Sequence, residues 1–345
     1  MGGIRIGAGA PVTVQSMTKT DTRDVEATVR QLHSLAEAGC EIARCAIPDA
    51  AAAEAFAEIK RRSPLPLVAD IHFDYRLALA ALAAGADKLR INPGNIGGRE
   101  RVREVARAAK ERGVPIRVGV NAGSLERDLL ARYGAPCAEA LVESAKRNAA
   151  LLEDEGFGDI VVSIKASDVA TTVQAYEAIS RETDYPLHVG LTEAGSPRSG
   201  TIKSAVAIGA LLLEGIGDTI RVSLTAEPEE EVRVARDILS SVGVRRSGVE
   251  VVSCPTCGRC HGDLLRMVRE VEARVAAIDA PLRVAVMGCE VNGPGEAREA
   301  DVGVALGEGA GLLFSHGKPV ARVPHDEIVS RLVEEIFKLT QRERD

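Results

Sequence analysis

Four cysteines lie in two short stretches near the carboxyl end of the chain, and their spacing is typical of a metal site. They are Cys254, Cys257 and Cys260 in SCPTCGRCH, and Cys289 in MGCEVNGPGE. A Cys-x-x-Cys loop presents two thiolates to one metal centre, and Pro255 limits the backbone freedom that is lost on binding. This part of the chain is therefore predicted to hold a metal.

Zinc and iron–sulfur sites both use such a loop, so the spacing leaves the metal open. Structural zinc usually adds a second close pair of ligands, whereas here only Cys289 follows, and zinc would have to recruit Cys260 or His261. The C-x2-C-x2-C run is also typical of bacterial ferredoxins, but the fourth cysteine and its proline are missing from the expected place. The role of Cys260 is ambiguous on this evidence.

A second group of candidate residues is basic and lies near the ends of predicted strands, where each cation shares a strand face with small polar residues. The group comprises Arg44, Arg90 with Asn92, Arg117 with Asn121, Lys165 with Ser163, and Arg221 with Ser223. Guanidinium forks flanked by hydroxyl and amide donors suit phosphate, and several cations suit a diphosphate. The pattern predicts an anion-binding site, although any one of these cations could instead point outward into a salt bridge.

Acidic and imidazole side chains accompany these cations. Glu193 in HVGLTEAG lies just past a strand end, where it could move a proton, the alternative being a solvated loop residue. Asp70 and His72 in ADIHF share a strand face and could position substrate or each other. His188, at the start of the same HVGLTEAG segment, is counted among the substrate-binding residues.

These candidates belong to eight repeats of a short β-branched run followed by an Ala/Leu-rich helical pattern. The predicted strands are 11–17, 41–48, 66–73, 88–93, 115–121, 159–167, 186–195 and 218–227. Strands that alternate with helices indicate a parallel sheet, and eight units predict an α/β fold of the TIM (β/α)8 barrel type. The active site of such a barrel lies at the carboxyl ends of its strands. An open doubly wound sheet is the alternative, which the lack of GxGxxG after the first strand weakens.

The repeated strand–helix pattern ends near Gly248. The pattern that follows predicts a smaller α+β domain, which carries all four clustered cysteines. We therefore expect a substrate-binding barrel over residues 1–245 and a metal-binding domain over 246–345. The final barrel helix should end at the face opposite the active site, because each helix runs antiparallel to its strand. A strand of six residues rises roughly 20 Å, and only VRRSGVE links the two domains. The metal domain of a second subunit is therefore expected to reach the barrel mouth in a homodimer.

The composition limits the class of protein. With 345 residues, of which 46% are hydrophobic, the chain can form a large core and more than one domain. Its 43 Lys and Arg against 50 Asp and Glu give a net charge of -7, which disfavours nucleic-acid binding. No apolar run reaches the roughly 20 residues that span a bilayer, and no signal pattern is present, so a soluble cytoplasmic protein is expected.

Seven cysteines in such a chain indicate metal or redox chemistry rather than a disulfide framework. The three outside the clustered stretches, Cys40, Cys45 and Cys137, are expected to be packing residues.

The motifs CPTCGR and MGCEVNGPGEA, together with VQSMTKT, ADIHF, KLRINPGN, RVGVN, SIKAS and LTEAG in this order, resemble the bacterial 4-hydroxy-3-methylbut-2-enyl diphosphate synthase family. The resemblance covers nearly the whole chain and implies a TIM barrel followed by a smaller domain with a 4Fe-4S cluster. It implies an oxidoreductase of the methylerythritol phosphate pathway, which converts 2-C-methyl-D-erythritol 2,4-cyclodiphosphate to the linear allylic diphosphate by two-electron reductive ring opening and loss of water. Reduced flavodoxin or ferredoxin is implied as the electron donor, and a homodimer with active sites formed in trans as the assembly.

The resemblance also implies roles for single residues. By motif position, the cluster ligands become Cys254, Cys257, Cys289 and Glu296, and Cys260 becomes a spectator. The family's diphosphate-contacting residues match Arg44, Arg90, Lys165 and Arg221, with Asn121 and Ser223 nearby and Glu193 as the proton donor. The expected substrate set is completed by Asn92, Arg117 and His188, of which Arg117 depends more on the strand pattern.

Two departures from the family pattern and two rival functions accompany this interpretation. Relatives usually begin with a basic segment and another strand, so we expect the start at MGGIRIG to be truncated or misassigned, and Arg23 stands where Thr is more usual. One rival is a pterin-using barrel methyltransferase with structural zinc. The other is a zinc-stabilised interaction module.

Overall fold

The computed structural model describes residues 1–246, 248–276 and 278–342. The chain forms two compact units, one from Met1 to Arg245 and the other from Arg246 onward. Among the described residues, no helix combines the length and the apolar character that crossing a membrane requires.

The first unit is built on a parallel sheet. Its strands are β1 (Thr13–Met17), β2 (Ile42–Ala46), β3 (Leu67–Asp70), β4 (Lys88–Ile91), β5 (Ile116–Asn121), β6 (Ile160–Lys165), β7 (His188–Val189) and β8 (Thr219–Ile220). They are hydrogen-bonded in the order β6-β5-β4-β3-β2-β1-β8-β7. A parallel bridge between Val162 and Leu187 joins the two outer strands, so the sheet closes. The predicted TIM barrel is confirmed, and the open sheet is not formed.

Helices connect successive strands around the outside of this sheet. They are α1 (Val25–Glu37), α2 (Ala50–Arg62), α3 (Tyr75–Ala83), α4 (Arg99–Arg112), α5 (Arg127–Tyr133), α6 (Ala138–Glu153), α7 (Val169–Glu182), α8 (Pro197–Leu213) and α9 (Pro228–Ser241). Several begin at an aspartate whose carboxylate accepts a backbone N–H of the first turn, which satisfies one donor that the helix leaves free. These N-caps are Asp24, Asp49, Asp74 and Asp168.

The barrel strands direct apolar side chains towards the helices and place several charged ones in the interior. Leu89, Val118 and Ile164 belong to the apolar core that they form with the surrounding helices. Because side chains alternate along a strand, the neighbouring residues Arg90 and Lys165 point into the barrel, and both are buried. An interior of this kind is unusual, since barrel interiors are usually filled by branched apolar residues.

The second unit is a mixed sheet with helices on both faces. Its strands are β9 (Glu250–Ser253), β10 (Arg283–Met287), β11 (Val302–Leu306), β12 (Ala310–Ser315) and β13 (Lys318–Pro324), in the order β13-β12-β11-β10-β9. The helices are α10 (Leu264–Val275), α11 (Gly293–Glu299) and α12 (Ile328–Arg342). Apolar residues of α10 and α12 form one core with the sheet, and Ala297 of α11 lies in a smaller cluster with Met287 and Phe314. The sequence pattern did not predict α11, because its GPG start lacks helical periodicity.

Candidate active site and metal centre

The structure brings the predicted cations together inside the barrel. They are Arg44 on β2, Arg90 on β4, Arg117 on β5, Lys165 on β6 and Arg221 directly after β8. Burial lowers the pKa of Lys165 well below its usual value, and the charges of Arg221, Arg44, Arg117 and Arg90 add to that effect. Burial likewise lowers the pKa of Arg44 to about 10, although the Asp70 carboxylate opposes the shift. Cations that destabilise one another in this way would gain free energy from a bound anion.

Asp70 at the end of β3 is the carboxylate that holds two of these arginines. Its Oδ1 atom lies 3.2 Å from Arg90 Nη1, and its Oδ2 atom lies 3.7 Å from Arg44 Nε and 3.4 Å from His72 Nε2. Burial alone would raise the pKa of Asp70, but the Arg44 charge, with His72 and Arg90, holds it well below its usual range. The predicted pairing of Asp70 with His72 is therefore present, and it includes both arginines.

Arg90 also depends on β5. With its amide oriented to satisfy its neighbours, the Asn121 side-chain oxygen accepts from Arg90 Nη2 at 3.1 Å. A Cβ atom at Gly119 would lie 2.4 Å from Arg90 Nε, so the glycine provides the space that the guanidinium occupies. Asn92 is engaged differently, because its Oδ1 atom accepts from the backbone N–H of Gly94 at 3.1 Å and stabilises a local turn.

Several buried polar atoms of the barrel, among them Arg117 Nε in the inner part, lack partners in the described chain, and two of them belong to residues that lie next to Gly190. These two are Lys165 Nζ and Arg221 Nε. A Cβ atom at Gly190 would lie 3.3 Å from Lys165 Nζ and 2.2 Å from the Arg221 carbonyl oxygen, so only glycine fits between them. Leaving such donors unpaired is costly, and an anion with several acceptor oxygens would satisfy both.

Arg117 and His188 lie deeper than the other cations. Arg117 is the second residue of β5, not near its end as the strand pattern predicted, and its Nη1 atom donates to Gln15 at 2.7 Å. His188 opens β7, and its Nδ1 atom lies 2.6 Å from Thr219 Oγ1. Each is only 1% exposed. The two residues form an inner polar layer towards the amino ends of the strands.

Lys88 belongs to this inner layer and was missed at the sequence level. It is the first residue of β4 and only 2% exposed. Burial, together with the Arg117 charge, lowers its pKa to about 7. The signal was present, because Lys88 precedes Arg90 and Asn92 at two-residue intervals and shares their strand face.

Glu193 lies on the loop that follows β7. It is exposed, and its backbone φ of 53° falls in the left-handed region that residues other than glycine rarely adopt. No described residue forms a hydrogen bond or ion pair with its carboxylate. Ser223, which follows β8, is half-buried, and its side chain also lacks a hydrogen bond to a described residue.

In the second unit, the loops that carry the clustered cysteines approach one another. A Cβ atom at Gly288 would lie 2.6 Å from Cys260 Sγ and 3.2 Å from Cys254 Sγ, and the Gly288 N–H donates to Cys254 Sγ at 3.3 Å. Backbone N–H groups of Asn292 and Val291, just before α11, lower the pKa of Cys289. These N–H groups favour the thiolate form of Cys289, the form in which cysteine binds metals.

These thiols form one group, and the geometry does not separate Cys260 from it. Burial raises the pKa of Cys260, and so do the charges of Cys254, Cys257 and Cys289. In the described parts of the chain, no three His, Cys, Asp or Glu side chains are arranged to hold a single metal ion. Cysteine sulfurs are soft ligands, and a group of them on neighbouring loops, with a glycine that leaves room for sulfur, suits an iron–sulfur cluster. Glu296 is exposed in the first turn of α11, and no described contact links it to the thiols.

The three remaining cysteines pack in or against the barrel core, as expected. Cys40 and Cys45 are buried in the barrel, and burial raises the pKa of each to about 12. Such thiols stay protonated and unreactive near neutral pH. Cys137 is half-buried and precedes α6.

Comparison with known proteins gives consistent matches for both units. The family model described as the GcpE TIM-barrel domain matches residues 1–236, and the one described as the GcpE protein C-terminal domain matches 250–338. A 4-hydroxy-3-methylbut-2-en-1-yl diphosphate synthase (flavodoxin) from Geobacillus kaustophilus is 59% identical over 99% of this chain and 91% of its own length. The Geobacter sulfurreducens protein of the same name is 58% identical over 98% of this chain and 96% of its own.

A solved structure is similar to the barrel in fold alone. It is a truncated form of 3-deoxy-D-arabino-heptulosonate 7-phosphate synthase from Thermotoga maritima, with a TM-score of 0.50 and 14% sequence identity. The match covers 71% of this chain and 92% of that one.

The lowered pKa of Lys88 predicts a pH-dependent effect of the substitution Lys88→Met on stability. Between about pH 7 and 10.5 the unfolded chain keeps a proton that the folded barrel releases, so the wild-type protein gains stability as pH rises through this window. Lys88→Met should therefore stabilise the barrel most at or below pH 7, on the order of 5 kcal/mol at about 1.4 kcal/mol per pKa unit. The stabilisation of the Lys88→Met variant relative to the wild type should shrink towards pH 10.

The measurement is the melting temperature of the barrel transition at pH 6.5 and 9.5. Lys203→Met serves as the control, because Lys203 is exposed on α8. A stabilisation by Lys88→Met that is equal at both pH values would contradict the prediction.

Proposed function

The chain belongs to the GcpE family and is an oxidoreductase that forms 4-hydroxy-3-methylbut-2-en-1-yl diphosphate in isoprenoid biosynthesis, and we propose how its two units share this reaction. The barrel binds 2-C-methyl-D-erythritol 2,4-cyclodiphosphate, and the second unit supplies electrons for the reductive ring opening with loss of water. The observation that carries the proposal is the group of buried cations with Lys165 Nζ and Arg221 Nε unpaired in the described barrel. Family membership sets aside the pterin-using methyltransferase and the zinc-stabilised interaction module.

The cations bind the charged part of the substrate. Asp70 pairs with both Arg44 and Arg90, while Lys165 Nζ and Arg221 Nε are buried donors without a hydrogen-bond partner among the described residues. Charge-assisted hydrogen bonds from these four residues would satisfy both phosphoryl groups and fix the carbon skeleton relative to the reductant. Asn121 and Ser223 lie beside them as neutral donors. Arg117 and His188 support the site from the inner layer.

Glu193 is the residue proposed to move a proton. Its carboxylate has no hydrogen-bonded partner among the described residues, and it lies on a loop at the carboxyl end of the barrel, where substrates bind in this fold. A side chain held in a left-handed backbone conformation at such a place is consistent with a functional constraint. The protonated carboxyl would donate to the oxygen that leaves as water.

The clustered cysteines of the second unit are proposed to hold the 4Fe-4S cluster. Its ligands are Cys254, Cys257, Cys289 and Glu296, with Cys260 as a spectator. When bound, the cluster supplies the two electrons one at a time. Backbone N–H groups around Cys289 would stabilise the negative charge on its sulfur, and Gly288 leaves room for the sulfur atoms. Reduced flavodoxin is the proposed donor, in keeping with the names of the relatives, and ferredoxin is the alternative.

The two units that form one active site are proposed to come from different chains of a homodimer. Arg245, the last residue of the barrel unit, donates to the Val12 carbonyl oxygen at 3.2 Å and to Glu41 Oε2 at 2.7 Å. Val12 and Glu41 directly precede β1 and β2, so the chain leaves the barrel at the amino ends of its strands. The substrate site lies at the opposite ends, and only a few residues separate Arg245 from β9. A partner's second unit could reach that site without this constraint.

The proposed ligand set predicts different results for two cysteine substitutions. Cys260→Ser should keep the iron and acid-labile sulfide content, near four of each per chain, and full activity, because the proposed ligands are untouched. Cys289→Ser should lose both the cluster and activity. Glu296→Ala should lower turnover, because a carboxylate is a harder and more exchangeable iron ligand than a thiolate.

Iron and sulfide analysis after anaerobic purification provides the measurement, with the absorption spectrum as a second readout. The ligand set would be wrong if Cys260→Ser removed the cluster while Glu296→Ala left turnover unchanged. A colourless protein with stoichiometric zinc would refute the cluster itself.

Substitutions in the barrel should separate binding from proton transfer. Arg90→Ala, Lys165→Ala and Arg221→Ala should each weaken substrate binding by about 1.5–3 kcal/mol, the typical contribution of a hydrogen bond to a charged group. Glu193→Gln should instead lower kcat more than it raises KM. The cluster spectrum should stay unchanged in all four variants. Steady-state kinetics test the set, and unchanged constants throughout would reject the barrel interior as the substrate site.

The in-trans assembly predicts complementation between two inactive chains. Co-expression of an Arg90→Ala chain with a Cys289→Ala chain should give mixed dimers with one active site, built from the intact barrel of one chain and the intact second unit of the other. The matched control pairs a wild-type chain with a chain that carries both substitutions. That mixed dimer contains the same number of defects, but each of its in-trans sites contains one of them and should be inactive.

Differently tagged chains allow each mixed dimer to be isolated and assayed. The reverse pattern, with activity only in the control dimer, would show that each site is built within one chain. Full activity in a monomer would also overturn the proposal.

A further inference from the structure

Three consecutive glutamates open α9, and the structure treats them differently. Glu229, Glu230 and Glu231 all occupy the first turn, where acidic residues are favoured by the helix dipole. Glu229 and Glu230 are half-buried, and Glu230 pairs with Arg233 on the surface. Glu231 is only 2% exposed. A carboxylate is seldom buried to this extent unless it is paired, so its partners indicate what it does.

The Glu231 carboxylate joins strand β1 to the segment that follows β8. Its Oε2 atom accepts from Ser16 Oγ at 3.2 Å, and its Oε1 atom accepts from the backbone N–H of Leu224 at 3.0 Å. Lys19 Nζ lies 3.3 Å from Oε1 and also donates to the carbonyl oxygens of Leu224 and Ala226. These contacts fix the segment that carries Arg221 and Ser223 against the first strand.

Glu231 also forms an ion pair with Arg221. Its Oε2 atom lies 3.8 Å from Arg221 Nη2. The Nε atom of the same guanidinium is buried and has no hydrogen-bond partner among the described residues. One end of the Arg221 side chain is thus held by a buried negative charge, while another of its donors stays free for a ligand.

The arrangement parallels the one around Asp70. Across the described residues, Asp70 and Glu231 are the only carboxylates that are buried. Asp70 pairs with Arg44 and Arg90, and Glu231 pairs with Arg221 and Lys19. Without Glu231, Arg221 would face only the like charges of the other buried cations and would be expected to turn away from them.

We propose that Glu231 is a positioning residue for diphosphate binding, which acts by holding the Arg221 guanidinium in the orientation that leaves its Nε–H free for the substrate. This inference rests on the proposed function of the barrel. Glu231 itself does not touch the substrate. Its effect on affinity should therefore depend on Arg221 being present.

Glu231→Gln tests this role, because glutamine can still accept from the Leu224 N–H but carries no charge. The affinity for inorganic diphosphate, measured by calorimetry on the full-length dimer, should fall about tenfold, which corresponds to one charge-assisted contact of about 1.4 kcal/mol. KM for the cyclic diphosphate should rise in parallel, with a smaller change in kcat. Glu229→Gln is the matched control, since it removes the same charge from the same helical turn, and it should change the affinity less than about twofold.

The Arg221→Ala background separates positioning from a merely structural role. If Glu231 acts through Arg221, then Glu231→Gln should cause little further loss in Arg221→Ala chains, because the group that it positions is already gone. An equal tenfold loss in both backgrounds would overturn the proposal. So would an unchanged diphosphate affinity for Glu231→Gln in the wild-type background.

Glu231→Asp provides a second variant that keeps the charge and is expected to fold if Glu231→Gln does not. Its carboxylate lies one methylene further from Arg221, so diphosphate affinity should fall about threefold, between the wild type and the glutamine variant, and only when Arg221 is present. Affinity equal to that of the wild type would overturn the proposal. If Arg221→Ala alone binds diphosphate normally, the proposed substrate site fails, which is distinct from failure of the Glu231 inference.

Discussion

The repulsion among buried cations is the constraint on which the organisation of this barrel depends. Arg44, Arg117 and Lys165 lie inside a closed sheet, and burial and like charge lower the pKa of each. A folded protein tolerates such an interior only if other interactions compensate for it. Here the compensation comes from a continuous apolar layer between the strands and the surrounding helices. The remaining excess of positive charge is the physical basis for the proposal that the interior binds an anion.

Two buried carboxylates make this arrangement specific. Asp70 orients Arg44 and Arg90 from the end of β3, and Glu231 reaches Arg221 from the first turn of α9. Glycines at 119 and 190 give the cations the space that any other side chain would fill. Because each arginine is held at one edge, its other donors keep a defined direction, which is the preorganisation that tight binding of a diphosphate needs.

The division of the chain into two units follows from what each part of the chemistry requires. Cations that bind a diphosphate need the enclosed interior of a barrel, where burial strengthens electrostatic interactions. The proposed thiol ligands need space for sulfur and backbone N–H groups that stabilise negative charge, and the second unit provides these at Gly288 and around Cys289. Arg245 fixes the end of the barrel unit at the amino ends of β1 and β2, through the Val12 carbonyl oxygen and the Glu41 carboxylate.

The sequence by itself determined the elements, the barrel and the family, because two-residue and three-to-four-residue periodicities and the order of the motifs are local properties. It also predicted that Arg44, Arg90, Lys165 and Arg221 lie close together, since each lies near the carboxyl end of a strand of the same predicted barrel. Only the tertiary structure decided that Arg117 lies deep, that Lys88 joins it, and that Glu231 rather than Glu229 or Glu230 is buried. The three glutamates are the same residue type, are adjacent in sequence and lie in the same helical turn. The rotation of α9 against β1 distinguishes them, and that rotation is set by packing between residues more than two hundred positions apart in the chain.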